Sequence, residues 1–166
     1  VTIAVLYDFL GAIMTTVNVT KENFNDLVEQ SNIIILDFWA EWCQPCKNFA
    51  PVFEAASEKH PDVVFGKIDT ESEQEIAAVY QIRSIPTIMA FKEGIGIFRQ
   101  AGALPPAPLN ELITKIKEVD MDEVRAQIAE AQAQMAAEEA EKEAAEAAGD
   151  IDGADHNDDH IDGDEA

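Results

Sequence analysis

The sequence predicts an α/β chain: a central mixed β-sheet with helices on both faces, followed by an acidic helix and a disordered tail. Three observations carry that reading. Strand and helix signals alternate from Thr16 to Lys117. One strand segment, IIILDFWA, is apolar but for a single acid, as a strand covered on both faces must be. A late hairpin, TIMAFKEGIGIFRQ, breaks the alternation, and the resulting order β-α-β-α-β-α-β-β-α fits a mixed sheet between two helical layers.

Thr16 to Val19 is a short β-branched run, and Thr20 then stands where an N-cap belongs, ahead of a helix whose Phe24, Leu27 and Val28 share one face. IIILDFWA follows as the central strand. Residues 43 to 60 read as a helix that Pro51 should kink, because proline removes a backbone donor and crowds the preceding turn. DVVFGKID is the next strand and ESEQEIAAVYQI the next helix. The hairpin is expected to turn at Lys92 to Gly94, and Pro105 to Lys117 supplies a helix with Leu109, Leu112, Ile113 and Ile116 at helical spacing.

The formal charge of -22 is unevenly spread: residues 1 to 119 carry 16 acidic and 9 basic side chains, whereas residues 120 to 166 carry 17 acidic and 2 basic ones. Nucleic acid is therefore an unsuitable partner, since phosphate contacts need clustered Lys and Arg. Four segments are expected: an N-terminal extension over 1-13, a folded domain over 14-119, an Ala/Glu-rich helix over 120-149 and an acidic disordered tail over 150-166. The first 13 residues lack Lys and Arg, and Asp8 interrupts them. They suit neither a signal peptide nor a membrane span, so an over-extended translation start or an extra edge strand is expected there. In the Ala/Glu-rich helix Val124, Ile128, Ala131 and Met135 form a short coiled-coil seam that fades, leaving a solvent-exposed helix ending at Gly149. An EF-hand reading from Asp155 fails, with His160 where glycine is required and Ala166 where a bidentate Glu is required.

Two cysteines three apart cannot build a disulfide framework, and the three histidines are too few and too scattered for a zinc site, so no metal is expected. The pair reads as redox chemistry. In DFWAEWCQPCK a buried strand turns into a helix, which sets Cys43 at the helix N-terminus, where free amides and the macrodipole favour a thiolate. Cys46 lies one turn on, along the same face, so Cys43 is expected to attack and Cys46 to resolve. Pro45 stiffens the intervening turn. Asp37 interrupts the apolar strand, and a buried acid of raised pKa could take the Cys46 proton, with Lys67 of GKID as its charge partner.

DFWAEWCQPCK, KIDTE, SIPT, FKEG and GAL together resemble the thioredoxin family over about 105 residues, from Met14 to Val119. The resemblance implies a thioredoxin fold, Cys43 as nucleophile, Cys46 as resolving thiol, Asp37 as proton relay and Pro86 as a cis proline facing the disulfide. It extends the active-site surround to Trp42, Gln44, Pro45, Ile85, Pro86 and Gly102. It also implies a cytoplasmic, monomeric protein-disulfide reductase with no bound cofactor, acting on disulfide-containing clients. NADPH and FAD then enter only through a partner thioredoxin reductase. Gln44-Pro45 departs from the family's usual Gly-Pro and leaves the reduction potential open. Two alternatives are an oxidant or isomerase of the same fold, and a non-catalytic client-binding module with an acidic solubilising tail.

Overall fold

The computed structural model describes residues 16–149. Its elements are β1 (Val17–Asn18), α1 (Phe24–Gln30), β2 (Ile33–Trp39), α2 (Gln44–Lys59), β3 (Val64–Asp69), α3 (Gln74–Val79), β4 (Thr87–Lys92), β5 (Ile95–Ala101), α4 (Pro106–Glu118) and α5 (Met121–Gly149). The five strands lie in the order β1-β3-β2-β4-β5. β1, β3 and β2 run parallel, while β4 is antiparallel to both β2 and β5. The mixed sheet expected from the sequence is therefore present.

β2 is central and buried on both faces, and its strict alternation divides the core. Ile33 and Ile35 meet Phe49 and Phe53 of α2 and Leu109, Ile113 and Ile116 of α4. Ile34, Leu36 and Phe38 meet Phe24 and Val28 of α1 and Ile76 of α3. The same alternation puts Asp37 on the side of Ile33 and Ile35, beneath α2. Gly66 lets β3 approach closely, since a Cβ there would stand 2.6 Å from Val19 Cγ2 and 2.7 Å from Leu36 Cδ2.

Three details differ from the sequence expectation. Thr20 is not the N-cap of α1; the helix starts at Phe24, and Asn23 Oδ1 instead accepts the Thr20 amide at 2.8 Å. The Thr20 carbonyl accepts the Asn23 and Phe24 amides, so residues 21–23 form a turn, which the Asn23 side chain holds by its bonds to the Thr20 amide and the Asn18 carbonyl. α3 is confined to Gln74–Val79, because Asp69 Oδ1 and Oδ2 hold the Glu71 amide and the Ser72 hydroxyl in a turn at 3.0 Å each. Lys92 does not turn the hairpin but pairs with Ile95 at the end of β4. The turn is Glu93 and Gly94, both with positive φ (51° and 79°), the conformation a two-residue hairpin loop demands.

The chain divides between Met121 and Asp122 into two units. In the second, the apolar residues of α5 do not gather on one face, so the short seam at Val124, Ile128 and Met135 gives no dominant stripe. The expected extension at 1-13 and acidic tail at 150-166 lie outside the described residues. No described helix is long and apolar enough to cross a membrane.

Candidate active site

β2 ends at Trp39 and the chain turns within four residues, the Cys43 amide donating to the Ala40 carbonyl at 3.1 Å. Cys43 caps α2 in an extended conformation, and its Sγ accepts the Cys46 amide at 3.2 Å. An amide hydrogen bond of this kind, at the positive end of a 16-residue helix, favours negative charge on that sulfur. Pro45 occupies the first turn, where its missing N–H costs no helical bond. Cys43 and Cys46 are joined in a disulfide with their Cα atoms 5.3 Å apart. The two residues are equally enclosed, at 3% and 2% exposure, so their roles differ by position on the helix and not by burial of the whole residue.

A second segment meets the first from across the sheet. Cys43 Sγ lies 3.8 Å from the Ile85 carbonyl oxygen, and the Ile85–Pro86 peptide is cis. The Pro86 carbonyl accepts the Gly102 amide at 2.7 Å; with φ at +96°, Gly102 takes a backbone conformation that side chains disfavour. Gln44 and Pro45 face solvent, and Gln44 Nε2 donates to Asn48 Oδ1 at 3.0 Å. Trp42 is 70% exposed, its indole held by donation from Nε1 to Glu71 Oε1 at 3.2 Å.

Asp37 is fully buried and neither carboxyl oxygen has a hydrogen-bond partner. Burial pushes its pKa from 3.8 up to about 7, against the opposing pull of the Lys67 ammonium. Asp37 and Lys67 are direct partners in the β2–β3 register. The Lys67 ammonium itself sits over the Trp39 ring, 5.0 Å from its centroid, a cation–π contact. The carboxyl thus feels the charge without a hydrogen bond to it. Among the described residues no group of three or more His, Cys, Asp or Glu could hold a metal ion.

The model of the thioredoxin family matches residues 15–118. The chain belongs to the thioredoxin family. It is 52% identical over 120 residues to "Putative thioredoxin 2" of Streptomyces coelicolor, covering 72% of this chain and 90% of that protein. Thioredoxin C-2 of Corynebacterium nephridii is 41% identical over 101 residues, 60% of this chain and 94% of that protein. Among solved structures, oxidised mitochondrial thioredoxin 3 of Saccharomyces cerevisiae superposes with a TM-score of 0.57 at 30% identity, covering 61% of this chain and 95% of that one. Family, fold and the Cys43–Cys46 disulfide make this chain a thioredoxin-type dithiol–disulfide oxidoreductase.

The thioredoxin domain also brings in residues that sequence reasoning passed over. Trp39 stood in the active-site segment, yet its use as a seat for Lys67 needed the β2–β3 register. Glu71 is 29 residues from Trp42, and nothing local to either announces their bond. Beside the disulfide, a cleft of about 370 Å³ is lined by Trp42, Thr70, Ile82, Arg83, Ser84 and Ile85. Only Trp42 and Ile85 of these six were expected near the site.

Proposed function

We propose that this chain reduces protein disulfides, with Cys43 as nucleophile, Cys46 as resolving thiol and Asp37 as the base that accepts the Cys46 proton. The observation that carries the reading is Cys43 at the α2 N-cap with its sulfur accepting the Cys46 amide. The Cys43 thiolate attacks one sulfur of a client disulfide, forming a mixed disulfide and expelling the other sulfur as a thiolate. Asp37 takes the Cys46 proton; its carboxyl, raised to about 7, has the affinity a base needs near neutral pH. The Cys46 thiolate then attacks Cys43 Sγ, expels the second client thiolate and leaves the Cys43–Cys46 disulfide. Two electrons pass to the client, and its two thiolates are protonated.

Trp42, Gln44, Pro45, Ile85, Pro86 and Gly102 form the surface that receives the client, and Lys67 tunes Asp37. Electrons return to the pair from NADPH through a flavin-containing thioredoxin reductase, and the protein works as a monomer in the cytoplasm. An insulin-reduction assay coupled to NADPH and a bacterial thioredoxin reductase tests this. NADPH consumption should depend on the chain and stop in the Cys43→Ser variant. Cys46→Ser should trap a mixed disulfide at Cys43, and trapping at the other cysteine in Cys43→Ser alone would reverse the roles. Turnover undiminished in both variants would remove the reading altogether.

A further inference from the structure

The cleft beside the disulfide holds one charged side chain that disulfide exchange does not use. Arg83 is exposed, and among the described residues its guanidinium makes no hydrogen bond or ion pair. Arg99 provides the contrast, since its Nη2 donates to the Gln81 carbonyl at 2.7 Å and holds the loop on which Arg83 stands. The acids nearest the cleft in sequence are occupied: Glu71 accepts the Trp42 indole, and Asp69 accepts the Glu71 amide and the Ser72 hydroxyl. A guanidinium presents a planar fork of donors matched to a carboxylate, and here that fork is open.

Its position relative to the reacting sulfur follows from the chain. Arg83 is two residues before Ile85, so their Cα atoms are at most about 7 Å apart. The Ile85 carbonyl is 3.8 Å from Cys43 Sγ. A client bonded to Cys43 that lays its neighbouring residues along this cleft meets the apolar walls of Trp42, Ile82 and Ile85 and comes within reach of Arg83.

We propose that Arg83 is a specificity residue that selects clients carrying a Glu or Asp side chain within about two or three residues of the attacked cysteine. This rests on the reductase reading and deepens it by naming the substrate class. The whole-molecule charge of -22 opposes such a choice, because a long-range field of that sign draws cationic clients. The local pair and the global field thus make opposite forecasts. At 0.15 M salt the field is screened beyond about 8 Å, while a contact pair is screened less.

The test uses the full chain, reduced beforehand, in single-turnover reduction of symmetrical disulfide dimers of one short peptide. The peptides carry Glu, Gln or Lys two residues to either side of the cysteine, at 0.15 M salt. The Glu peptide should react faster than Gln, and Gln faster than Lys, by about threefold at each step, the size of an exposed ion pair. Arg83→Gln should bring the three rates together, and Arg83→Glu should invert their order. Fastest reduction of the Lys peptide by the wild type, or an unchanged Glu-to-Lys ratio in Arg83→Gln, would overturn the proposal. So would an equal loss on all three peptides, which would make Arg83 structural. Equal rates for all peptides in the wild type would remove the selectivity but leave the reductase reading standing, whereas reduction of none would remove the reductase reading itself.

Discussion

Asp37 and Lys92 are charged side chains buried in neighbouring antiparallel strands, at opposite ends of the β2–β4 pair, where Asp37 faces Ile88 and Lys92 faces Ile33. Their surroundings differ in hydrogen bonding. Lys92 Nζ donates to the carbonyls of Ile116 at 3.1 Å, Lys117 at 2.7 Å and Val119 at 2.8 Å, three acceptors at the C-terminal end of α4. These carbonyls lie at the negative pole of α4, where that of Ile116 also accepts a backbone amide, from the C-cap Val119 at 3.3 Å, so the ammonium completes the structure there. Asp37 receives no donor at all. A satisfied buried charge anchors an element, whereas an unsatisfied one keeps its free energy available for proton transfer.

Neutralising Asp37 should make the protein more stable, and the largest effect is expected there. A carboxyl whose pKa is raised from 3.8 to about 7 binds its proton more tightly folded than unfolded. Stability therefore falls as pH rises from about 4 to about 7, and the full penalty is present above that window. Asp37→Asn should stabilise the oxidised protein above pH 8 by on the order of 4 kcal/mol and by little near pH 4, measured by urea unfolding. Lys92→Met should act in the opposite sense. It removes the ammonium from all three carbonyls, of which that of Ile116 keeps the Val119 amide, and should cost about 2–3 kcal/mol in urea unfolding. A gain in stability instead would show that Lys92 is as poorly satisfied as Asp37.

Kinetics sharpen the same contrast. Asp37→Ala should slow release of the client from the mixed disulfide about tenfold near pH 7, less than the hundredfold common for a positioned base because solvent can also take a thiol proton. The defect should fade towards pH 9, where Cys46 ionises unaided; a constant defect would mark structural damage instead. Lys92→Met should leave this step unchanged. The smallest effect is expected from removing the second unit. The cut belongs after Met121 and not after Val119, because the Val119 carbonyl binds Lys92 and Met121 is 5% exposed. Truncation there should change unfolding free energy by less than about 0.5 kcal/mol and weaken the salt dependence of reduction of acidic clients.

Some of this was legible in the residue order alone. The succession of strands and helices follows from periodicities of two and about 3.6 that are local to each segment, and the mixed sheet follows from the one hairpin among crossovers. Cys43 at a helix start and Asp37 as an anomaly in an apolar strand were equally local, and the pairing of Asp37 with Lys67 needed only adjacent strands in register. Lys92 misled for a physical reason. A lysine before Glu-Gly resembles a polar turn, and its acceptors lie 24 to 27 residues away at the end of a helix whose packing angle no local pattern states. Thr20 looked fit to cap α1 by residue type, but its carbonyl accepts the Asn23 and Phe24 amides in a turn, which delays the helix to Phe24. The Trp42–Glu71 bond and the cleft around Arg83 arise where three loops meet at one end of the sheet. Local sequence determined which residues could carry charge or sulfur into the fold; whether each found a partner was decided by tertiary structure, because a hydrogen bond depends on ångström-scale placement of groups far apart in the chain.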